Sequence, residues 1–216
     1  VVLVWLCALQ HPLHAQRTWV GLGLGLNLTL PELGKDFRPL AYSGPGAVRG
    51  GAVVNVWFWQ ALARGWRLNV EAGYAGAVLS QQYNLPGPAL GKLNAPYPLL
   101  YASPGLTLQP FQRLQAYAVL GAVAAARLAA PVTFVYQDGP TSSRTETLEA
   151  SDLDPEQAFV ALRLGLGGYV YLTKKYLLRF EGLYDYALTN AVRGSTQARI
   201  PQLQLRILIG LRASKR

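Results

Sequence analysis

Seven charged residues recur on the side of alternating segments opposite the leucines: Arg67, Glu71, Arg163, Arg179, Glu181, Asp185 and Arg206. Side chains at i, i+2 and i+4 of a strand share one face, so these groups would all point to the same side of a closed sheet. Glu181 would stand on a strand flanked by those of Arg163 and Arg206. Charges enclosed in a narrow lumen must pair or bear a heavy desolvation penalty. The expected arrangement is a network centred on Glu181 and Arg206, acting as a structural plug; a gated conduit or proton-linked site is the sharper alternative.

Other chemistry is largely excluded. The segment Val1–Leu9 is apolar, the following residues are polar, and Ala15 precedes Gln16. This pattern reads as a secretion signal over residues 1–15. The single Cys (Cys7) and both His (His11 and His14) fall within it, and the chain has no Met. The processed chain would lack a disulfide, a thiol nucleophile and a Ser-His-Asp triad. No catalytic residue, cofactor or metal site is expected, and the chain does not read as an enzyme. Asp152, Asp154 and Glu156 are spaced as a weak calcium ligand set, but the Gly and downstream Glu of a calcium loop are missing. With Asp138, Glu146 and Glu149 they read as a solvated acidic loop. Gly21, Gly23 and Gly25 resemble a dinucleotide loop only superficially, because no helix pattern follows them.

Charged residues make up only 14% of the 216 residues, against about 25% in soluble domains. The apolar residues are not gathered into the runs of about 20 that a membrane-spanning helix needs. They alternate instead. Val20, Leu22, Leu24, Leu26 and Leu28 stand against Gly21, Gly23, Gly25 and Asn27. Period-two alternation of this length is a strand with one greasy face. In a soluble sandwich the other face would carry charges; here it is small, as a barrel lumen prefers. Similar segments run over 47–60, 66–80, 96–108, 114–126, 157–172, 176–189 and 200–212. Leu162 and Leu164 lie on the greasy side of the sixth, and Leu205, Ile207 and Ile209 on that of the eighth. For residues 47–60 the face is ambiguous, residues 96–108 carry three prolines, and residues 114–126 are rich in helix-favouring Ala.

The eight segments predict an all-β, eight-stranded, antiparallel up-and-down transmembrane barrel over residues 16–216. The connections alternate between long (31–46, 81–95, 127–156, 190–199) and short (61–65, 109–113, 173–175). Outer-membrane barrels have brief periplasmic turns and long external loops. Two aromatic girdles are expected at the interfaces. Trp19, Trp57, Trp59, Trp66, Tyr169, Tyr171 and Tyr176 would form one; Tyr83, Tyr97, Phe134, Tyr136, Phe159 and Tyr186 would form the other. The formal charge of +9 reads as spread out, over turns and termini at Arg17, Arg64, Arg113, Lys174, Lys175, Arg212, Lys215 and Arg216. Such cationic rims suit lipid phosphates rather than nucleic acid, which would want a basic patch with stacking aromatics on one face.

The opening strand VGLGLGLNL, the hairpin NVWFWQALARGWRLNVEAGY, the segment APYPLLYASPGLTLQPFQRLQAYAVLGA and the closing strand LQLRILIGLR together resemble the eight-stranded outer-membrane β-barrel domain family, the PorT-like and OmpA-like group. The resemblance implies export through the periplasm, residence in the outer membrane of a Gram-negative envelope and a structural or interaction role, with an accessory role in a secretion system as a narrower variant. The expected partners are outer-membrane lipid, lipopolysaccharide and other envelope proteins that meet the long loops. Two readings compete: a narrow channel for small solutes, and a soluble lipocalin-like ligand-binding barrel.

Overall fold

The computed structural model describes residues 18–29, 49–63, 65–76, 78–84, 90–96, 98–110, 114–128, 130, 132–137, 143–148, 158–189 and 201–213, with backbone alone at 49, 78–84, 90–95, 132–137 and 143–148. The expected signal segment and most of the acidic loop lie outside these residues. Among the described residues every regular element is a strand. They are β1 (Thr18–Thr29), β2 (Arg49–Ala63), β3 (Trp66–Ala75), β4 (Val78–Asn84), β5 (Leu90–Pro96), β6 (Leu99–Leu108), β7 (Ala116–Arg127), β8 (Val132–Gln137), β9 (Ser143–Leu148), β10 (Ala158–Tyr171), β11 (Tyr176–Ala187) and β12 (Gln202–Arg212).

Eight of them close into a barrel in the order β1-β12-β11-β10-β7-β6-β3-β2. Every pairing is antiparallel, and the seam between β1 and β12 runs from Trp19↔Arg212 to Thr29↔Gln202. Closure leaves no unpaired backbone rim on the wall. The Ala-rich β7 is a strand because it pairs along its length with β10, from Ala158↔Ala126 to Gly168↔Ala116; tertiary pairing overrides its helix propensity. β6 itself contains one of the three prolines, Pro104, and tolerates it locally. Pro104 faces outward and has no N–H to give, so the ladder with β7 passes from Ala102↔Ala124 to Gly105↔Gly121.

The short turns and both strand termini share one end. There β2 and β3 meet through a register shift between Ala61 and Ala63, and Gly65 turns the chain at φ 81°. That left-handed conformation suits Gly. A side chain there would also strike the carbonyl oxygen of Gln109, whose amide donates to the Gly65 carbonyl at 2.8 Å.

The opposite end departs from expectation. Residues 81–95 and 127–156, expected as loops, contain β4, β5, β8 and β9, which form a second sheet in the order β4-β5-β8-β9. It prolongs the wall: Ala75↔Leu99 closes the β3–β6 ladder, and Val78↔Pro96 opens that of β4 with β5. The alternation that marks a barrel strand is weak here. Strand propensity was nevertheless present in Val132-Thr133-Phe134-Val135-Tyr136, followed at once by Asp138-Gly139-Pro140.

Side-chain direction follows parity around the wall. Leu22, Leu24 and Leu166 are 64%, 63% and 71% exposed on the outside. Val20, Leu26, Leu162, Leu164, Leu205, Ile207 and Ile209 also face out, and Leu28 is half-buried on that face. The aromatic girdles need correction. Trp19, Trp57, Trp59 and Tyr169 are buried inside the barrel at the short-turn end, and Phe159 is buried inside at the other. The parity of Val20, Val54 and Val56, all outward, requires this of their odd-numbered neighbours. Trp66, Tyr176 and Tyr186 do face outward. The side chains of Tyr83, Tyr97, Phe134 and Tyr136 lie outside the described residues.

Candidate functional site in the barrel lumen

The lumen is filled in three layers. At the long-loop end an apolar layer contains Val53, Leu99, Tyr101, Val123 and Phe159. At the short-turn end an aromatic layer contains Trp19, Trp57, Trp59, Tyr117 and Tyr169. Between them lies the charged cluster, whose members are essentially inaccessible: Arg179 at 0%, Arg163 and Glu71 at 1%.

Arg206 of β12 reaches two carboxylates. Its Nη1 donates to Glu71 Oε2 at 2.6 Å, and its Nη2 donates to Glu71 Oε1 at 2.8 Å and also to Glu181 Oε2. Arg163 of β10 grips Asp185 with two prongs, Nε to Oδ1 at 2.7 Å and Nη2 to Oδ2 at 2.8 Å, and sends Nη1 to Glu71 Oε2 at 2.8 Å. Arg179 of β11 bonds Glu181 Oε1 through Nη2 and donates from Nε to the Tyr117 hydroxyl at 2.9 Å. That hydroxyl in turn donates to Glu181 at 2.6 Å. Amides complete the shell: Asn69 donates to Glu71 at 2.7 Å and Gln204 to Asp185 at 3.0 Å.

The structure therefore brings six of the seven expected residues together, three guanidinium groups and three carboxylates of equal and opposite charge. The partners differ from the expected ones in one respect. Glu181 does not bridge Arg163 and Arg206, because its register partner on β10 is Gly167, while Arg163 stands opposite Asp185. Glu71 supplies the missing bridge from across the lumen. Arg67 does not join the cluster. Its guanidinium lies 4.0 Å from the centre of the Trp59 ring and 5.2 Å from that of Tyr169, and donates to Gln109 at 3.0 Å. A cation over an aromatic face gains electrostatic attraction; the register of β3 places Arg67 four residues nearer the short-turn end than Glu71.

Tyr117 and the amides were not singled out from sequence as network members. Tyr117 sits in a segment whose other residues are mainly Ala, which hides its parity. It can approach Glu181 because Gly167 lies beneath its ring: a Cβ at Gly167 would come within 2.5–2.7 Å of Tyr117 Cζ, Oη and Cε2.

The carboxylates of the cluster are all engaged by guanidinium groups, while Arg206 Nε is buried without a hydrogen-bond partner. Each carboxylate already accepts charge-assisted hydrogen bonds, which leaves none poised as a general base. Among the described residues no group of three or more His, Cys, Asp or Glu is placed to hold a metal ion. An apolar trough of about 1220 Å³ bordered by Val20, Leu22, Tyr176, Phe180 and Ile207 lies on the outside of the wall, not in the lumen.

No protein-family model and no curated protein matches the chain. Among solved structures, it is similar to a major outer membrane protein from Thermus thermophilus, at 14% identity over 93% of this chain and 100% of that one, with a TM-score of 0.49. It is also similar to Neisserial surface protein A, at 12% identity over 91% and 97% with a TM-score of 0.46. A third similar structure is the outer membrane protein OprG from Pseudomonas aeruginosa, at 14% identity over 93% and 97% with a TM-score of 0.42.

Proposed function

We propose that the chain is an integral outer-membrane barrel, not an enzyme, that spans the bilayer with its short turns in the periplasm and presents its long connections and the β4-β5-β8-β9 sheet to envelope or surface partners. The observation that carries this reading is the inverted polarity of the wall. Leucine, valine and isoleucine project outward along β1, β10 and β12, while arginine, glutamate and aspartate are enclosed. In water that arrangement would expose a broad apolar belt and bury charges at once, both unfavourable. In a bilayer the belt meets hydrocarbon, and the backbone is satisfied by closure.

The filled lumen favours an interaction role over a channel. An eight-stranded barrel is just wide enough for side chains to fill its interior, and here an apolar layer, a charged layer and an aromatic layer succeed one another along the axis. A lipocalin-like barrel would keep its apolar face inside for a ligand, opposite to the pattern seen. Lipopolysaccharide, lipid and envelope proteins are the partners that the connections 31–46, 81–95, 127–156 and 190–199 would meet. An accessory role in secretion is the narrower form suggested by the sequence resemblance, and loss of exported cargo on deletion of the gene would be its signature.

Cell fractionation and gel migration test the membrane reading. The protein should partition with outer membranes and migrate faster unboiled than boiled on a denaturing gel. Recovery in the aqueous fraction would overturn it. In planar bilayers the inserted protein should be electrically silent; steady unitary conductance would favour the channel instead.

A further inference from the structure

The charge read from sequence as spread out is concentrated by the topology. The chain carries 20 Lys and Arg against 11 Asp and Glu, a net +9. In the lumen, Arg163, Arg179 and Arg206 are matched by Glu71, Glu181 and Asp185. The connections that leave the long-loop end, counted with Arg49 and Arg127 at the adjoining strand ends, hold eight cations and eight carboxylates. The whole net charge therefore falls at the short-turn end, where nine Lys and Arg occur, Arg67 among them turned into the lumen, with no Asp or Glu in the turns, termini or adjoining strand ends.

In sequence these cations fall at every connection of that end. In barrel order, the β1–β12 seam ends at Arg212, with Arg17 immediately before β1 and Lys215 and Arg216 a few residues beyond β12. The β10–β11 turn carries Lys174 and Lys175. In sequence Arg113 falls in the β6–β7 connection and Arg64 directly before Gly65; Arg67, the second residue of β3, turns its guanidinium into the lumen over Trp59 and is no part of this rim. Every turn station on that rim is basic. Between two of them lies a cavity of about 420 Å³ lined by Trp19, Tyr171, Thr173, Lys174 and Arg212. On the outside of the wall, at the first residues of β3 and β11, Trp66 and Tyr176 expose their rings, as side chains at a headgroup zone do.

We propose that this cationic crown gathers the phosphate headgroups of anionic phospholipid in the leaflet that meets the short turns. The proposal rests on the membrane reading above. A single soluble ligand would need its counter-charges converging on one point; basic residues at every connection of that end, beside outward aromatics, match a plane of headgroups surrounding the barrel. Basic side chains near an anionic membrane surface each gain from its potential, and the gain decays within a Debye length.

The test reconstitutes the full chain in phosphatidylcholine vesicles with and without phosphatidylglycerol. Insertion is scored by gel migration, and the lipids in contact with the protein are scored by electron paramagnetic resonance of spin-labelled phosphatidylglycerol and phosphatidylcholine. The expected result is an enrichment of the anionic label of about fivefold, the factor that one near-surface charge supplies. It should fall towards unity in about 1 M salt, where the Debye length is about 3 Å. The combined variant Lys174→Gln, Lys175→Gln and Arg212→Gln should insert equally well and lose most of the enrichment. Insertion with no enrichment, or a variant that keeps it, overturns the crown while leaving the membrane reading intact. Failure of the unaltered protein to insert into either vesicle overturns the membrane reading and the crown with it. Capture of a soluble polyanion without lipid enrichment overturns the assignment to lipid.

Discussion

Arg206 and Glu71 form a two-pronged ion pair across the lumen, with N–O distances of 2.6 and 2.8 Å, from strands that are not neighbours in the ring. Arg163, on β10, lands on the same carboxylate. Glu71 therefore ties together β3, β10 and β12, and the cluster braces the barrel across its interior where hydrogen-bonded ladders cannot.

Truncation of Glu71 should be expensive. Glu71→Ala leaves Arg206 and Arg163 sharing only Glu181 and Asp185 in a buried site. Removing one partner of a buried pair costs about 3–5 kcal/mol. Urea unfolding in vesicles, followed by the gel shift between folded and unfolded forms, would measure it. A loss below about 1 kcal/mol, the range of exposed pairs, would mean that water enters the layer.

Depth on the outer wall provides a second measurement. Leu24 lies in the middle of β1, and Val20 near the short-turn end. Leu24→Arg should cost about 2–4 kcal/mol and Val20→Arg about 0–1 kcal/mol, because the penalty for a cation facing lipid peaks at mid-bilayer. Equal costs in the same unfolding assay would contradict a bilayer around β1.

The contact between Gly167 and Tyr117 makes a third prediction. Gly167→Ala should displace the Tyr117 ring and destabilise by about 1–3 kcal/mol through overpacking. Tyr117→Phe should cost about 1–3 kcal/mol by leaving buried charged groups short of a hydrogen-bond partner. Both changes act through one side chain, so the double variant should cost less than the sum of the two. Additive losses would show that the ring does not move.

The outer sheet should be separable. Replacing residues 132–148, which contain β8 and β9, with a short turn should leave the heat-dependent gel shift unchanged. The barrel ladders involve none of those residues, and tolerance to excision follows the hydrogen bonding of the backbone removed. Loss of the compact form would show that the sheet supports the wall.

The barrel was legible because β1, β10 and β12 alternate without interruption and because long and short connections sort by end. The faces of Trp57 and Trp59 were harder to read, since Phe58 and both tryptophans are apolar on either choice; the outward parity of Val54 and Val56 decides it only after the register is known. That the six charged members of the cluster point inward followed from alternation within single strands, but the same alternation wrongly included Arg67 in the cluster. The Arg163–Asp185 and Arg206–Glu71 partnerships did not follow from it, because strand register depends on turn lengths and on the shift at Ala61, which single-strand periodicity does not contain. The concentration of basic residues was missed for the same reason: Lys174, Lys175 and Arg212 are apart in sequence and become neighbours only when β11 pairs with β12.

The seam between β1 and β12 also sets a timetable. The earliest barrel strand to leave the ribosome is fastened along its full length to the latest, so every unfinished form has two raw borders and a greasy exterior. No partial cylinder of this polypeptide is comfortable in either water or oil. The wall is finished only when Leu205, Ile207 and Ile209 come to lie beside Leu26, Leu24 and Leu22.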